Sequence, residues 1–497
     1  MADSEPDQIK NPESAFYLTQ WAAALPLVLM IAPVVALGFE GVLATTVLVA
    51  SGIVGVMLGS FLSRRKKEYW EVVTRSLADP TGLIVFALFL MVGIYGKLLT
   101  AAHLTEGIVW LSQQLALGPA LFTLFVYVSC AILGTAMGTS VGIVVIMTPI
   151  LYPAAIGLGI HPMLAAGAIL SGAATGDHLA PVSDTTIISS MTQRYRNKSG
   201  SADIGGVVRA RLIYVIPAFL ISCALYMLVG GLADGPQIGN LAVETTTASS
   251  RGLVMLIPML VVIVVAVSRR TIFEALTYGI VSGILIALGM GLIGIHDLFY
   301  LENNNVKGLL VEGAAQNLET IVMIVMLMGA YGVMRSYGIL DRVVNSIKGV
   351  FGDTPRDTEL TMFGIGWILN FLLIGLVTRL TVIAGPIFNE LGGRQHIHPY
   401  RRANILDAIA NSFSYVIPWH VWPILMIAQI KPLVDANSLI IAPAPSDFLL
   451  ATYYPVAIWA VMLLSIITGF GRKFEGPAGE VLRRHPGVGS NLKQRLE

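Results

Sequence analysis

Asp177 and Asp184 stand on either side of a proline in the run Gly176-Asp177-His178-Leu179-Ala180-Pro181-Val182-Ser183-Asp184-Thr185-Thr186. The run lies inside an apolar stretch from about Met163 to Met191, long enough to cross a bilayer. A carboxylate at the bilayer centre costs about 2.5–3.5 kcal/mol on insertion scales, so it tends to persist where it does a job. Pro181 lacks an amide hydrogen, and its ring clashes with the carbonyl four residues back, that of Asp177. The helix is therefore predicted to open there, with Ser183 or Asp184 capping a second half-helix. Non-helical backbone at membrane depth is tolerated where it is buried or lines a cavity. Carbonyls, hydroxyls and carboxylates together make a hard-oxygen cage for a small cation, and sodium at Asp177 and Asp184 is the metal expected. Buried carboxylates disfavour a bare charge, so such a site would hold either a proton or a sodium ion.

The elements around this run are those of an all-α polytopic membrane protein. Of the 497 residues 55% are apolar and 12% charged, about half the usual charged share. Two cysteines, Cys130 and Cys223, fall inside apolar runs and read as buried thiols. The first 15 residues are polar and acidic, unlike a cleaved signal peptide. Spans are predicted at about 21–38, 42–62 and 81–98, with an interfacial segment at 99–117. Two apolar arms over 118–157 flank Gly134-Thr-Ala-Met-Gly-Thr-Ser-Val-Gly142, a poor helix centre and a good hairpin tip. The broken segment 163–191 and a full span at 211–231 complete this half.

The second half repeats the plan at an offset of about 230–240 residues. Spans are predicted at about 252–268, 272–294 and 319–334, followed by an amphipathic piece at 337–351. Two arms over 359–392 surround a tip holding Thr378 and Arg379. A second interrupted segment at 403–429 holds Asp407, Asn411, Ser412, Ser414 and Pro418, and a last span at 450–470 closes the half. The expected domains are a polar N-terminus (1–15), a first repeat (16–248), a second repeat (249–471) and a tail (472–497). With the N-terminus inside and both tips re-entrant, 26 of the 31 Lys and Arg fall inside, four outside (Lys97, Arg251, Lys307, Lys431) and one, Arg379, at membrane depth. That bias places both termini in the cytoplasm. It also makes the halves inverted repeats with re-entrant hairpins and broken transmembrane helices, an architecture of secondary transporters.

Each polar residue has a structural reading beside its functional one. Asp177 and Asp184 could cap a kink; cation binding by at least one is the stronger reading. Thr135, Thr139 and Ser140 could be ligands or small residues for close helix packing. Asp407, Asn411, Ser412 and Ser414 could complete the site or act as polar glue. Arg379 could be a buried counter-ion for Asp407 or Asp184, the simpler role, or could grasp a substrate carboxylate. His178 could relay protons or sit satisfied in the core. His420 reads as packing, and His396 and His398 as loop residues rather than metal ligands. There is no Walker-type phosphate loop, so ATP-driven transport is not suggested. No cofactor, enzymatic activity or nucleic-acid partner is expected.

The 176–186 run resembles the signature of the NhaC family of sodium/proton antiporters. Gly138-Thr-Ser140 is similar to that family's first tip, and Ile417-Pro-Trp419 to its second broken helix. The resemblance covers about residues 20–470 and implies a plasma-membrane ion transporter, usually a homodimer, in which a transport domain moves against a scaffold. It places Asp177, Ser183, Asp184, Thr185 and Thr139 on motif positions. Family members commonly carry an acidic pair before a Gly-Thr stretch, where this chain has Leu406-Asp407-Ala408. Relatives also exchange organic acids or amino acids against cations. The expected function is sodium/proton antiport with Asp177, Asp184, Thr139, Ser140, Ser183 and Thr185 as the cation set. The alternative is cation-coupled transport of a small carboxylate bound by Arg379. A channel or scaffold without a coupled cycle is the third reading, disfavoured by paired dead-end hairpins.

Overall fold

Prolines and glycines set where the helices stop. In the computed structural model, residues 15–39, 45–77, 80–114, 118–181, 183–232, 250–269, 272–302, 305–315, 318–339, 342–343, 346, 354–372, 377–436 and 440–486 are described. The first helices are α1 (Leu25–Phe39), α2 (Thr45–Leu62), α3 (Lys66–Leu77), α4 (Pro80–Ala101) and α5 (Leu104–Gln114). Next come α6 (Pro119–Met137), α7 (Ser140–Gly157), α8 (Pro162–Leu179), α9 (Asp184–Thr192) and α10 (Ile204–Leu232). They are followed by α11 (Leu256–Arg269), α12 (Ile272–Gly289), α13 (Ile295–Leu298), α14 (Leu309–Ala315) and α15 (Leu318–Ser336). The chain continues with α16 (Pro355–Leu372), α17 (Val377–Arg394), α18 (Pro399–Ala410), α19 (Val421–Ala436), α20 (Asp447–Ala451) and α21 (Tyr453–Thr468).

The predicted spans coincide with these helices closely. Several pieces had no counterpart in the sequence reading: α3, the short helices α13 and α14, an exposed hairpin pairing Tyr300–Glu302 with Asn305–Lys307, and a second short hairpin pairing Phe474–Glu475 with Val481–Leu482. The amphipathic piece predicted at 337–351 lies mostly outside the described residues. Among the described residues, α6, α7 and α10 are each long and apolar enough to cross a membrane on length and composition alone. Cys130 is fully buried, whereas Cys223 is only half-buried, a correction to the pairing of the two as buried thiols.

The tip between α6 and α7 forms as its glycines require. Gly138 takes φ 69°, a left-handed conformation that favours glycine, and its N–H closes on the Gly134 carbonyl at 2.8 Å. Thr139 then turns extended and caps α7, its hydroxyl accepting from Gly142 N at 3.4 Å. Gly134 also lets α6 lie against α8: a Cβ on Gly176 would stand 2.4 Å from Gly134 Cα. Any side chain at either position would push apart the helix that carries Asp177 and the one that leads to the tip.

The second half follows the first in register. Helices α7 and α17 begin at residues 140 and 377, α8 and α18 at 162 and 399, α9 and α19 at 184 and 421, a constant offset of 237. The sequence Ile-His-Pro occurs at 160–162 and again at 397–399. His161 and His398 cap their helices in the same way, through Nδ1 accepting from the backbone N–H two residues on, at 3.3 and 3.2 Å. Pro181 and Pro418 keep that spacing in the two breaks. The helices also sort into two groups. In one, α1, α2, α3, α4, α12 and α15 pack on each other; in the other, α6–α10 pack with α16–α21.

Helix α10 shows how the second group is sealed. Its buried residues are Val207, Arg211, Tyr214, Val215, Ala218, Ser222, Tyr226 and Gly230, one stripe at helical spacing. Leu212, Ile213, Ile216, Leu220 and Ile221 on the remaining surface are exposed apolar side chains suited to lipid. Arg211 lies on the buried stripe and is 0% exposed. The sidedness count places it, with Arg401 and Arg402, on the inner side of the membrane; all three are buried within the protein there.

Candidate functional site

Helix α8 ends at Leu179 and α9 begins at Asp184, so the segment 163–191 is interrupted at Pro181 as predicted. The Ala180 N–H still reaches the Gly176 carbonyl at 2.9 Å, but Pro181 has no N–H to give to the Asp177 carbonyl. Asp177 is buried in the last turn of α8, and its Oδ1 accepts the Ser183 hydroxyl at 2.6 Å. Ser183 takes the N-cap position of α9 without capping it. Its hydroxyl lies instead between Asp177 and the Thr185 hydroxyl, the latter 3.0 Å away. Ser183 and Thr185 are both buried. The break thus gathers a carboxylate, two hydroxyls and a freed carbonyl.

Asp184 is not in that cluster. It is the first residue of α9 and is exposed, one position past the buried Ser183. Both Asp184 and Asp407 lie within electrostatic reach of Asp177, and of the two only Asp407 is buried. This corrects the expectation that the two acids flanking Pro181 form the buried pair. The helix turns Asp184 outward, whereas the second break turns Asp407 inward.

Asp407 is heavily partnered. Its Oδ2 forms an ion pair with Arg211 Nη2 and accepts from Thr186 at 3.2 Å, and its Oδ1 accepts from Asn411 Nδ2 at 3.1 Å. Both side chains of the ion pair are 0% exposed. Arg211 also donates to Asn404 Oδ1 at 3.1 Å, to the Thr186 hydroxyl at 2.8 Å and to the His178 carbonyl. One guanidinium therefore ties α10 to both interrupted segments. Burying a charge pair is tolerated when the remaining donors are also satisfied; here Nε and Nη1 are hydrogen-bonded, while Nη2 meets Asp407 as an ion pair without a hydrogen bond. The counter-ion role considered for Arg379 is filled at Asp407 by Arg211. The side chain of Arg379 lies outside the described residues.

The other candidates divide. Ser140 comes to the site: its hydroxyl meets the Ala173 carbonyl at 3.1 Å and the Tyr415 hydroxyl at 2.6 Å. Tyr415, stacked on Trp422 with centroids 4.7 Å apart, is within electrostatic reach of both Asp177 and Asp407. Thr139 serves as the α7 cap, and Thr135 bonds back to the Ala131 carbonyl at 2.8 Å. Ser412 and Ser414 spend their hydrogens on the Ile409 and Ala410 carbonyls, at 2.6 and 2.7 Å. They stitch the second break, where Asn370 Nδ2 also meets the Ile409 carbonyl at 2.7 Å. Asn411 keeps a buried Oδ1 with no hydrogen-bond partner. Thr378 is half-buried at the start of α17 and meets only Thr381 among the hydrogen bonds described.

His178 is buried, and its Nδ1 lies 2.7 Å from the Tyr454 hydroxyl on α21. None of the described hydrogen bonds joins it to Asp177. His420 is buried just ahead of α19. His398 is a helix cap, and among the described residues no group of three or more His, Cys, Asp or Glu could hold a metal ion. Sequence reasoning missed Arg211, Tyr415 and Tyr454. For Arg211 a signal existed: it continues the helical stripe of Tyr214, Ala218 and Ser222, which a side-counting rule ignores.

Comparison with known proteins follows the same lines. The malate-2H(+)/Na(+)-lactate antiporter of Bacillus subtilis (strain 168) is 25% identical over 388 residues, spanning 75% of this chain and 80% of that one. The Na(+)/H(+) antiporter NhaC of Alkalihalophilus pseudofirmus is 22% identical over 390 residues, spanning 74% and 81%. The arginine/ornithine antiporter ArcD of Halobacterium salinarum is 23% identical over 378 residues, spanning 72% and 75%. The model of the Na+/H+ antiporter family matches residues 13–199 and 196–470. With almost the whole chain matched, this protein belongs to the Na+/H+ antiporter family and is a membrane transporter, not an enzyme.

Proposed function

We propose that this protein exchanges sodium for protons across the plasma membrane, with Asp177 as the carboxylate for which the two cations compete. The observation that carries this reading is the charge balance at the breaks. Asp407 is neutralised by Arg211, whereas no described Lys, Arg or His forms an ion pair with Asp177. The buried cluster Asp177–Asp407–Arg211 therefore carries one uncompensated negative charge. One sodium ion or one proton brings it to zero, and burial penalises every other state. Ser183, Thr185 and the Asp177 carbonyl supply neutral oxygens that replace the ion's water; Ser140 and Tyr415 close the far side.

Because each loaded state is neutral, one sodium exchanges for one proton with no net charge moved. Inverted repeats suit this cycle, and the constant offset of 237 between the breaks supports them. So does the sorting of helices into one group that holds both breaks and another that can act as its scaffold. The cytoplasmic placement of both termini rests on the basic run at 64–67 and the sidedness of the remaining charges. Dimerisation rests on the family resemblance.

In vesicles holding the purified protein, a sodium gradient is expected to drive proton movement at a rate that stays constant when the membrane voltage is set by potassium and valinomycin. No proton movement would overturn the exchange. A rate that follows voltage would overturn the one-for-one balance. The second reading, a small organic acid as cargo, is favoured by the name of the Bacillus subtilis relative, a malate–lactate exchanger. Against it, the described arginine nearest the site, Arg211, is committed to Asp407. In the same vesicles L-malate and L-lactate are expected to leave the rate unchanged.

A further inference from the structure

Beyond the end of α9, an open cleft of about 390 Å³ is lined by Arg194, Arg196, Arg394 and Arg402 together with Asn389. Arg394 pairs with Glu390 at 2.5 Å. Among the described residues, no carboxylate forms an ion pair with Arg194, Arg196 or Arg402. The acid within electrostatic reach of Arg402 is Glu475, whose Oε1 already accepts the backbone N–H groups of Arg196 and Asn197, both at 2.8 Å. Four guanidiniums against Glu390 and Glu475 leave two positive charges unmatched.

Exposed arginines in a loop need no ligand to explain them, and Arg194 and Arg196 alone would be ordinary inner-face charges. Arg402 is different. It is 1% exposed, donates to the Asn389 carbonyl at 2.7 Å, to Asn389 Oδ1 at 3.0 Å and to the Arg194 carbonyl at 2.8 Å, and leaves its buried Nε without a partner. A buried guanidinium held in place by neutral acceptors, facing a cleft edged by three more, has the donor geometry for phosphate oxygens.

We propose that this cleft binds an anion bearing phosphate groups with at least two negative charges, as a lipid headgroup or as a free phosphate compound. The site is separate from the cation site, and the two meet through α9. The cleft holds the chain just past that helix's end: the Arg194 N–H donates to Asn389 Oδ1 and Arg402 donates to the Arg194 carbonyl, both at 2.8 Å. The first turn of the same helix follows Ser183, which holds Asp177.

The test uses the full chain in phosphatidylcholine nanodiscs, titrated with inorganic pyrophosphate at fixed ionic strength and followed by thermal unfolding. A parallel set of nanodiscs contains phosphatidylglycerol. Pyrophosphate raising Tm in the first set identifies a free phosphate compound; a higher Tm in the second set, with no further rise on adding pyrophosphate, identifies a lipid headgroup. In either case Arg194→Ala/Arg196→Ala, which removes two exposed side chains, is expected to lose most of the rise. No rise in either set would overturn the proposal, as would a rise of equal size in the double variant.

Discussion

Asp177→Asn is expected to reduce sodium-driven proton movement to background while the protein still folds. The amide oxygen can still accept the Ser183 hydroxyl, so the break keeps its geometry, but the cluster loses its uncompensated charge. A sodium ion entering that cluster would then be a buried, unpaired cation, which the membrane interior penalises heavily. Asp184→Asn is the matched control. Asp184 is exposed, so its charge acts through solvent and is worth at most about 1 kcal/mol, roughly a fivefold change in sodium affinity. Proton-dye flux in vesicles separates the two. Equal loss in both variants would mean that the acids flanking Pro181 work as a pair after all.

The second large effect is expected at Arg211. Arg211→Met leaves Asp407 buried without its cation, and removing one partner of a buried pair costs about 3–5 kcal/mol. Against a total stability of about 5–15 kcal/mol, that is enough to lose most folded protein on detergent extraction. Asp407→Asn alone does something else: Arg211 then neutralises Asp177, and sodium binding is lost. The double variant Arg211→Met/Asp407→Asn removes both charges together and leaves Asp177 with its own, so folding and much of the sodium binding return. Thermal unfolding of the three variants, with and without sodium, checks the series. An Arg211→Met protein as stable as the wild type would contradict the ion pair.

The first break was legible in the sequence because a proline's missing N–H is a local fact, and α8 stops just ahead of Pro181. In the second break α18 already stops at Ala410, eight residues before Pro418, so that proline marks the interruption without ending the helix. The α6–α7 tip was legible for the same kind of reason, since Gly138 alone among its neighbours accepts a positive φ readily. What the sequence did not disclose was which acid pairs with what. Asp184 differs from Asp177 only in the direction α9 gives it, and a half-helix of nine residues has no long hydrophobic stripe from which to read that direction. Arg211 and Asp407 are 196 residues apart in the chain, so their pairing depends on how α10 docks against the second break. A rule that counts arginines by membrane side says nothing about burial, and so does not single out Arg211, Arg401 and Arg402, which are buried. Helix α3 was missed because the basic run at 64–67 reads as a loop, although the residues after it bury Tyr69 and Val73 at helical spacing.

Competition at one carboxylate is tested most directly by sodium binding to the purified protein, measured calorimetrically across pH. If sodium displaces a single proton from Asp177, the apparent Kd rises about tenfold for each pH unit of acidification over the range in which that proton binds. Asp177→Asn should show neither the affinity nor the slope. A sodium Kd that stays flat with pH, in a protein that still exchanges sodium for protons, would contradict a shared site.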